Sequence, residues 1–158
     1  MHIVLVEPEI PPNTGNVARL CAATRTRLHL IEPLGFRLDD AQLKRAGMDY
    51  WQHVKWQRWP NWAVFAGQLA TSARLWFIES GASRLYTQAR FTPDDYLVFG
   101  RETAGLPQQF LTEDPDHCLR IPMLNPEARS LNLSNCVALV LFEALRQQGF
   151  QGEVKRET

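Results

Sequence analysis

Short apolar runs alternate along this chain with segments of helical periodicity, and that alternation limits the folds open to it. His2–Val6, Arg27–Glu32, Arg74–Glu79, Tyr96–Phe99 and His117–Ile121 read as strands stopped by turn residues, with Val54–Trp59 as a further one. Between them, helices are expected from Asn16, where Val17, Leu20, Cys21 and Thr24 share a face, and over Asp39–Ala46, which two carboxylates open. Asn61–Ala70, capped by Asn61, and one or two turns over Pro107–Leu111 add to the set. Strand and helix in alternation predict an α/β fold, a parallel sheet with helices on both faces. At 158 residues the chain reads as one domain, with a frayed polar tail over residues 152–158.

The last helix is the most distinctive. A polar stretch, Arg129-Ser130-Leu131-Asn132-Leu133-Ser134-Asn135, leads into Val137, Leu139, Val140, Leu141, Phe142 and Leu145 before Gly149. Ser134 and Asn135 can accept the unpaired amides of a first turn, and Gly149 can end the helix in the left-handed conformation. Its apolar residues fill more than one stripe, so most of its circumference is expected to be enclosed. A buried helix that begins in a polar loop points to a site at its start.

Composition removes several classes. Lysine plus arginine equals aspartate plus glutamate, 17 of each, so net charge gives no pull towards nucleic acid or anionic membrane. The only lysines are Lys44, Lys55 and Lys155, so nearly all the positive charge is guanidinium, which suits planar recognition of phosphate. Cys21, Cys118 and Cys136 lie far apart among apolar residues, and the four histidines form no ligand pair, so no metal is expected. No basic start with a cleavage site and no apolar span of membrane length is present, which reads as a cytosolic protein. Trp51, Trp56, Trp59 and Trp62 interleave with Lys55 and Arg58 and could stack on bases, but core and helix packing is the favoured reading.

In an open parallel sheet, ligands bind beyond the carboxyl ends of strands, so the loops after Val6, Phe99 and Ile121 carry the functional information. After Phe99 comes Gly100-Arg101-Glu102-Thr103-Ala104-Gly105-Leu106, whose glycines let backbone approach a ligand. It is not a Walker loop, since Leu106-Pro107 stands where Lys-Ser or Lys-Thr is required, and it lacks the glycine spacing of a dinucleotide turn. After Ile121, Pro122 to Ala128 leads into the last helix. After Val6, a proline- and asparagine-rich loop ends in Asn13, Gly15, Asn16 and Arg19.

Together, Glu7 to Asn16 with Arg19, Gly100 to Leu106, and Ser130 to Asn135 resemble, in order and spacing, the three motifs of the SPOUT class of RNA methyltransferases. The branch they resemble methylates the ribose of the tRNA wobble nucleotide. The similarity extends through Leu28–Phe36, Gly47–Tyr50 and Glu143–Gly149, and so spans essentially the whole chain. The resemblance implies a deep trefoil knot at the carboxyl end and a homodimer. It also implies S-adenosylmethionine as methyl donor, with transfer to the 2'-hydroxyl of the first anticodon nucleotide, cytidine or modified uridine, of leucine tRNA. By motif, Ile78, Gly100, Gly105, Ile121, Ser130 and Leu131 would hold the donor, and Arg19 would be catalytic. Asn16, Glu102, Arg129 and Asn135 would bind or orient the RNA, with Glu102 alternatively facing the sulfonium or shaping its loop.

The chain departs from the branch at Phe142, where tyrosine is common, at Glu79-Ser80-Gly81, and at Arg101 and Ala104. The same chemistry on another RNA, ribosomal RNA or a tRNA base, and a non-catalytic RNA- or nucleotide-binding module are the rival readings. Arg19 together with a complete third motif favours an enzyme over a module.

Overall fold

The computed structural model describes residues 1–39, 41 and 48–155, so the helix expected over Asp39–Ala46 lies largely outside the described residues. The strands are β1 (His2–Val6), β2 (Arg27–Ile31), β3 (Trp56–Trp59), β4 (Leu75–Ile78), β5 (Arg84–Leu85), β6 (Tyr96–Phe99) and β7 (Cys118–Arg120). They form one sheet in the order β3-β2-β1-β6-β4-β7-β5, every pairing parallel. Six of these strands fall on expected runs; the two-residue β5 carries too short a pattern to be read.

Side chains along each strand point alternately to the two faces, and both are covered. On one face Ile3, Leu5, Leu28, Leu30, Leu97 and Phe99 pack with Val17, Ala18 and Cys21 of α1 (Pro11–Thr24) and with Val137, Val140 and Leu141 of the last helix. On the other, Val4, Val6, Ile31, Phe77 and Val98 meet Phe65 of α2 (Trp62–Gly67) and Phe110 of α3 (Gln108–Glu113). Asn61 caps α2 as expected, accepting from the Val64 amide at 2.9 Å.

Two helix starts differ from the expectation. Helix α1 begins at Pro11, with the two prolines in its first turn, rather than at Asn16. Proline at the first helical positions lacks only an amide that would be unpaired anyway. Asn13, Thr14 and Gly15 are buried in that helix, so tertiary packing overrides their preference for turns. The last helix, α4 (Leu133–Gln147), is capped by Asn132, whose side chain accepts from the Ser134 amide at 2.9 Å, and not by Ser134 or Asn135. Gly149 follows it with φ of 67°, the left-handed conformation expected there. The enclosure of α4 is less complete than its composition suggests: Asn135, Leu139, Phe142 and Arg146 form an exposed stripe.

The tryptophans mostly pack. Trp51 is buried, Trp62 lies 4.7 Å from Phe110 between ring centres, and only Trp56 of the edge strand is well exposed. Trp59 donates its indole N–H to Nδ1 of His29 at 3.1 Å. That leaves the His29 proton on Nε2, where it faces Nδ1 of His2 at 2.9 Å. Burial pushes both imidazoles down to about 4, with the amino terminus adding to it at His2 and the neighbouring His2 at His29. Both histidines are therefore neutral in the fold, and an unfolded chain binds more protons below its ordinary value of 6.5. Stability is expected to be complete above pH 6.5 and to fall as pH drops towards about 4, with denaturant midpoints across that range as the check.

Candidate active site

A cavity of about 800 Å³ opens at the carboxyl ends of β4, β6 and β7. Ile78, Phe99 and Ile121 form its apolar floor, the loop 100–105 one wall, and residues 129–133 another, with Ile10 and Asn13 of the first loop at its rim. Strand ends from the middle of a parallel sheet thus place three loops, distant in sequence, around one space.

The loop after β6 is closed on itself. Arg101 donates its amide to the Gly105 carbonyl at 3.1 Å, and Gly105 returns the bond at 2.8 Å. A Cβ on Gly100 would stand 2.1 Å from the carbonyl carbon of Gly105, so only glycine allows the two ends of the loop to touch. Gly105 itself has φ of 66°, and a Cβ there would lie 2.2 Å from Oε2 of Glu79. That same oxygen accepts from the Leu106 amide at 2.8 Å, while Oε1 accepts from Ser80 N at 2.8 Å. Glu79, at the end of β4, is therefore the support on which the glycine loop rests.

Two carboxylates clasp the first and second loops together. Glu102 accepts from the amides of Glu9 at 2.8 Å and Ile10 at 3.1 Å, and from Nδ2 of Asn13 at 3.2 Å. Glu9 returns the connection, accepting from the amide of Thr103 at 3.0 Å and from its hydroxyl at 2.8 Å. Hydrogen bonds from the Thr103 side chain, then its backbone, hold the Glu9 carboxyl below the usual carboxylate range. Because Glu102 can only accept when ionised, Asn13 must turn its amide nitrogen towards it and its oxygen away. That oxygen accepts from Nδ2 of Asn132 at 2.8 Å, and Asn132 Oδ1 in turn caps α4. One hydrogen-bonded chain thus joins all three loops to the start of the last helix.

Of the residues singled out in the sequence, Ile78, Gly100, Gly105, Ile121, Ser130, Leu131, Glu102 and Arg129 all line the cavity. Asn16, Arg19 and Asn135 do not; each is exposed, Arg19 with its guanidinium carbon 5.1 Å from the centre of the Tyr50 ring. Sequence reasoning placed Glu9, Asn13, Thr103 and Asn132 in their motifs but gave none of them a role. All sit inside the three motifs, but a carboxylate facing backbone amides leaves no pattern in sequence. Cys136 also lines the cavity, its thiol pushed up by burial. Among the described residues no group of three or more histidine, cysteine or acidic side chains could hold a metal, and no helix is long and apolar enough to cross a membrane.

The lining suits a charged nucleoside. Aliphatic strand ends can hold a flat, mostly apolar base, and the backbone of a glycine loop can read its edge. The carboxylates of Glu79 and Glu102 favour a cationic group, and Arg129 a carboxylate.

A family model described as the SpoU rRNA methylase family matches residues 1–142. The chain is 52% identical over 154 residues to a tRNA (cytidine(34)-2'-O)-methyltransferase of Saccharophagus degradans, covering 96% of this chain and 97% of that one. It superposes with a TM-score of 0.89 and 45% identity on a structure described as giving insight into 2-OH methylation of C/U34 on tRNA, covering 95% and 97% of the two chains. It also superposes, with a TM-score of 0.79 and 25% identity, on the SpoU methyltransferase AviRb of Streptomyces viridochromogenes in complex with AdoMet, over 95% of this chain and 61% of that one.

Removing either support of the cavity has a separate expected outcome. Glu102→Ala strands two backbone amides and the Asn13 side chain, and a loss of about 1–3 kcal/mol in urea denaturation is expected. Gly105→Ala forces a left-handed alanine against Glu79 at a cost of about 1–2 kcal/mol before the clash, and calorimetry should show weakened binding of S-adenosylmethionine.

Proposed function

This chain belongs to the SpoU rRNA methylase family, and we propose that it methylates the ribose 2'-hydroxyl of nucleotide 34, the wobble position, in tRNA. The nucleotide is cytidine or a modified uridine, the tRNA is a leucine tRNA engaged through its anticodon stem-loop, and S-adenosylmethionine is the donor. The observation that carries this reading is the cavity walled by all three motif loops, in a chain matching wobble-cytidine enzymes over nearly its whole length.

Ile78, Gly100, Gly105, Ile121, Ser130 and Leu131 are the residues we assign to the donor. The donor supplies an electrophilic methyl group on a sulfonium, with no metal required. Glu102 shapes the loop that faces it and adds negative charge to the wall, and Arg129 offers a guanidinium to a carboxylate or phosphate. Arg19 is the catalytic residue in this reading. A guanidinium does not lose its proton in a protein, so Arg19 acts by binding phosphate and stabilising the oxyanion that develops on the ribose.

Arg19 lies outside the cavity of its own chain, which supports a homodimer in which each copy completes the other's site. Further support comes from the exposed stripe of α4, where Leu139 is 41% and Phe142 48% exposed and Phe150 lies 6.5 Å from Phe142 between ring centres. Asn16 and Asn135, exposed on the two helices concerned, orient RNA or the second copy. The whole of residues 1–158 forms one SPOUT domain in this reading, and α4 is threaded through the preceding loop as a deep trefoil knot. The enzyme works in the cytoplasm, where tRNA is modified.

Incubation with labelled donor and total tRNA, followed by mass spectrometry, is expected to place the methyl group on the ribose of nucleotide 34. A methylated base, or label entering ribosomal RNA alone, would reject the reading. Arg19→Ala is expected to slow transfer about 10²- to 10³-fold while calorimetry still detects the donor; parallel loss of both would remove its assigned role. Sedimentation is expected to show a dimer.

A further inference from the structure

We infer that Tyr50 is a positioning residue for Arg19, fixing the plane of its guanidinium while leaving every N–H free for phosphate and for the reacting ribose oxygen. The inference rests on the reading of Arg19 given above. The Arg19 guanidinium carbon lies 5.1 Å from the centre of the Tyr50 ring. Arg19 is exposed on α1, and among the described residues its guanidinium enters no ion pair. Among the described residues Tyr50 is thus what orients it.

The chemistry of the contact matters. A carboxylate partner would occupy guanidinium N–H groups and offset the charge that phosphate and oxyanion need. An aromatic ring attracts the cation through its π face and takes none of the five donors. An arginine side chain loses much rotamer freedom when it is fixed, and a ring that restrains it beforehand reduces what must be lost as RNA binds.

The ring is itself held by the core. Tyr50 lies on the 3-10 turn Met48–His53, which packs against α1. Trp51, the next residue, is buried and meets Trp56 edge to face at 4.7 Å, and Val54 just beyond the turn is buried too. Tyr50 is 37% exposed and belongs to neither core cluster, and leucine in its place keeps an apolar side chain on the turn. Its removal should therefore separate from loss of the fold.

The test compares Tyr50→Leu, Tyr50→Phe, Arg19→Ala and the Tyr50→Leu/Arg19→Ala pair in single-turnover methyl transfer to tRNA, with donor Kd and Tm measured on each. Tyr50→Leu is expected to slow transfer about tenfold with donor Kd and Tm unchanged, as a misdirected catalytic group does. Tyr50→Phe keeps the ring and should restore the rate to within about twofold of the native enzyme. Added to Arg19→Ala, Tyr50→Leu should cause no further loss. The inference fails if Tyr50→Leu transfers at the native rate, if Tyr50→Phe is as slow as Tyr50→Leu, or if the two losses multiply. Those outcomes leave Arg19 its role; a fully active Arg19→Ala would instead overturn the reading of Arg19 and this inference with it.

Discussion

The candidate site depends on one carboxylate more than on any other group. Glu102 reaches from the second loop to the first, where the amides of Glu9 and Ile10 precede the first turn of α1. Helix starts present unpaired amides and partial positive charge, so a carboxylate arriving from elsewhere in the chain is held there strongly. Asn13 carries the same connection to Asn132 and so to the start of α4. Loops that must bind a ligand are usually the least stable parts of a fold. Here they are tied to one another through the starts of the two helices that cover the same face of the sheet.

A buried carboxylate does comparable service at the opposite end of the strands. Asp95, at 1% exposure, accepts from Arg74 at 2.7 Å, from the Trp76 indole at 2.8 Å and from the Thr92 amide and hydroxyl at 2.9 and 2.6 Å. Burial alone would raise its pKa, and these hydrogen bonds outweigh that and hold it below the usual range. Asp95 stands immediately before β6, so fixing it fixes the register from which Gly100 emerges on the far side. The glycine loop is thus determined from both ends, by Asp95 behind the strand and Glu79 beside the loop.

Much of the fold was legible because strands of a doubly covered parallel sheet are apolar throughout. β1 and β6 were readable to the residue for that reason. The start of α1 was not, because Pro11, Pro12, Asn13 and Gly15 are local turn formers whose helical state is imposed by burial. The cap of α4 was misplaced by two residues or more within a run, Asn132 to Asn135, in which several side chains could cap. In the site, most of the motif residues that line the cavity were found, whereas the ties made by Asn13 and Asn132 were not, because their partners lie 89 and 119 residues away.

The sequence by itself determined the α/β class, the parallel sheet and the three loops that matter, since these follow from hydrophobic period and from motifs contiguous in the chain. Only the tertiary structure decided which side chains hold those loops in place and where Arg19 points. Glu102, Glu9 and Asn13 act on groups from other loops and helix starts, and a hydrogen bond between segments some ninety residues or more apart has no local signature. Arg19 belongs to the first motif in sequence but lies over Tyr50 in space, outside the cavity, because a helix turns successive residues to different sides.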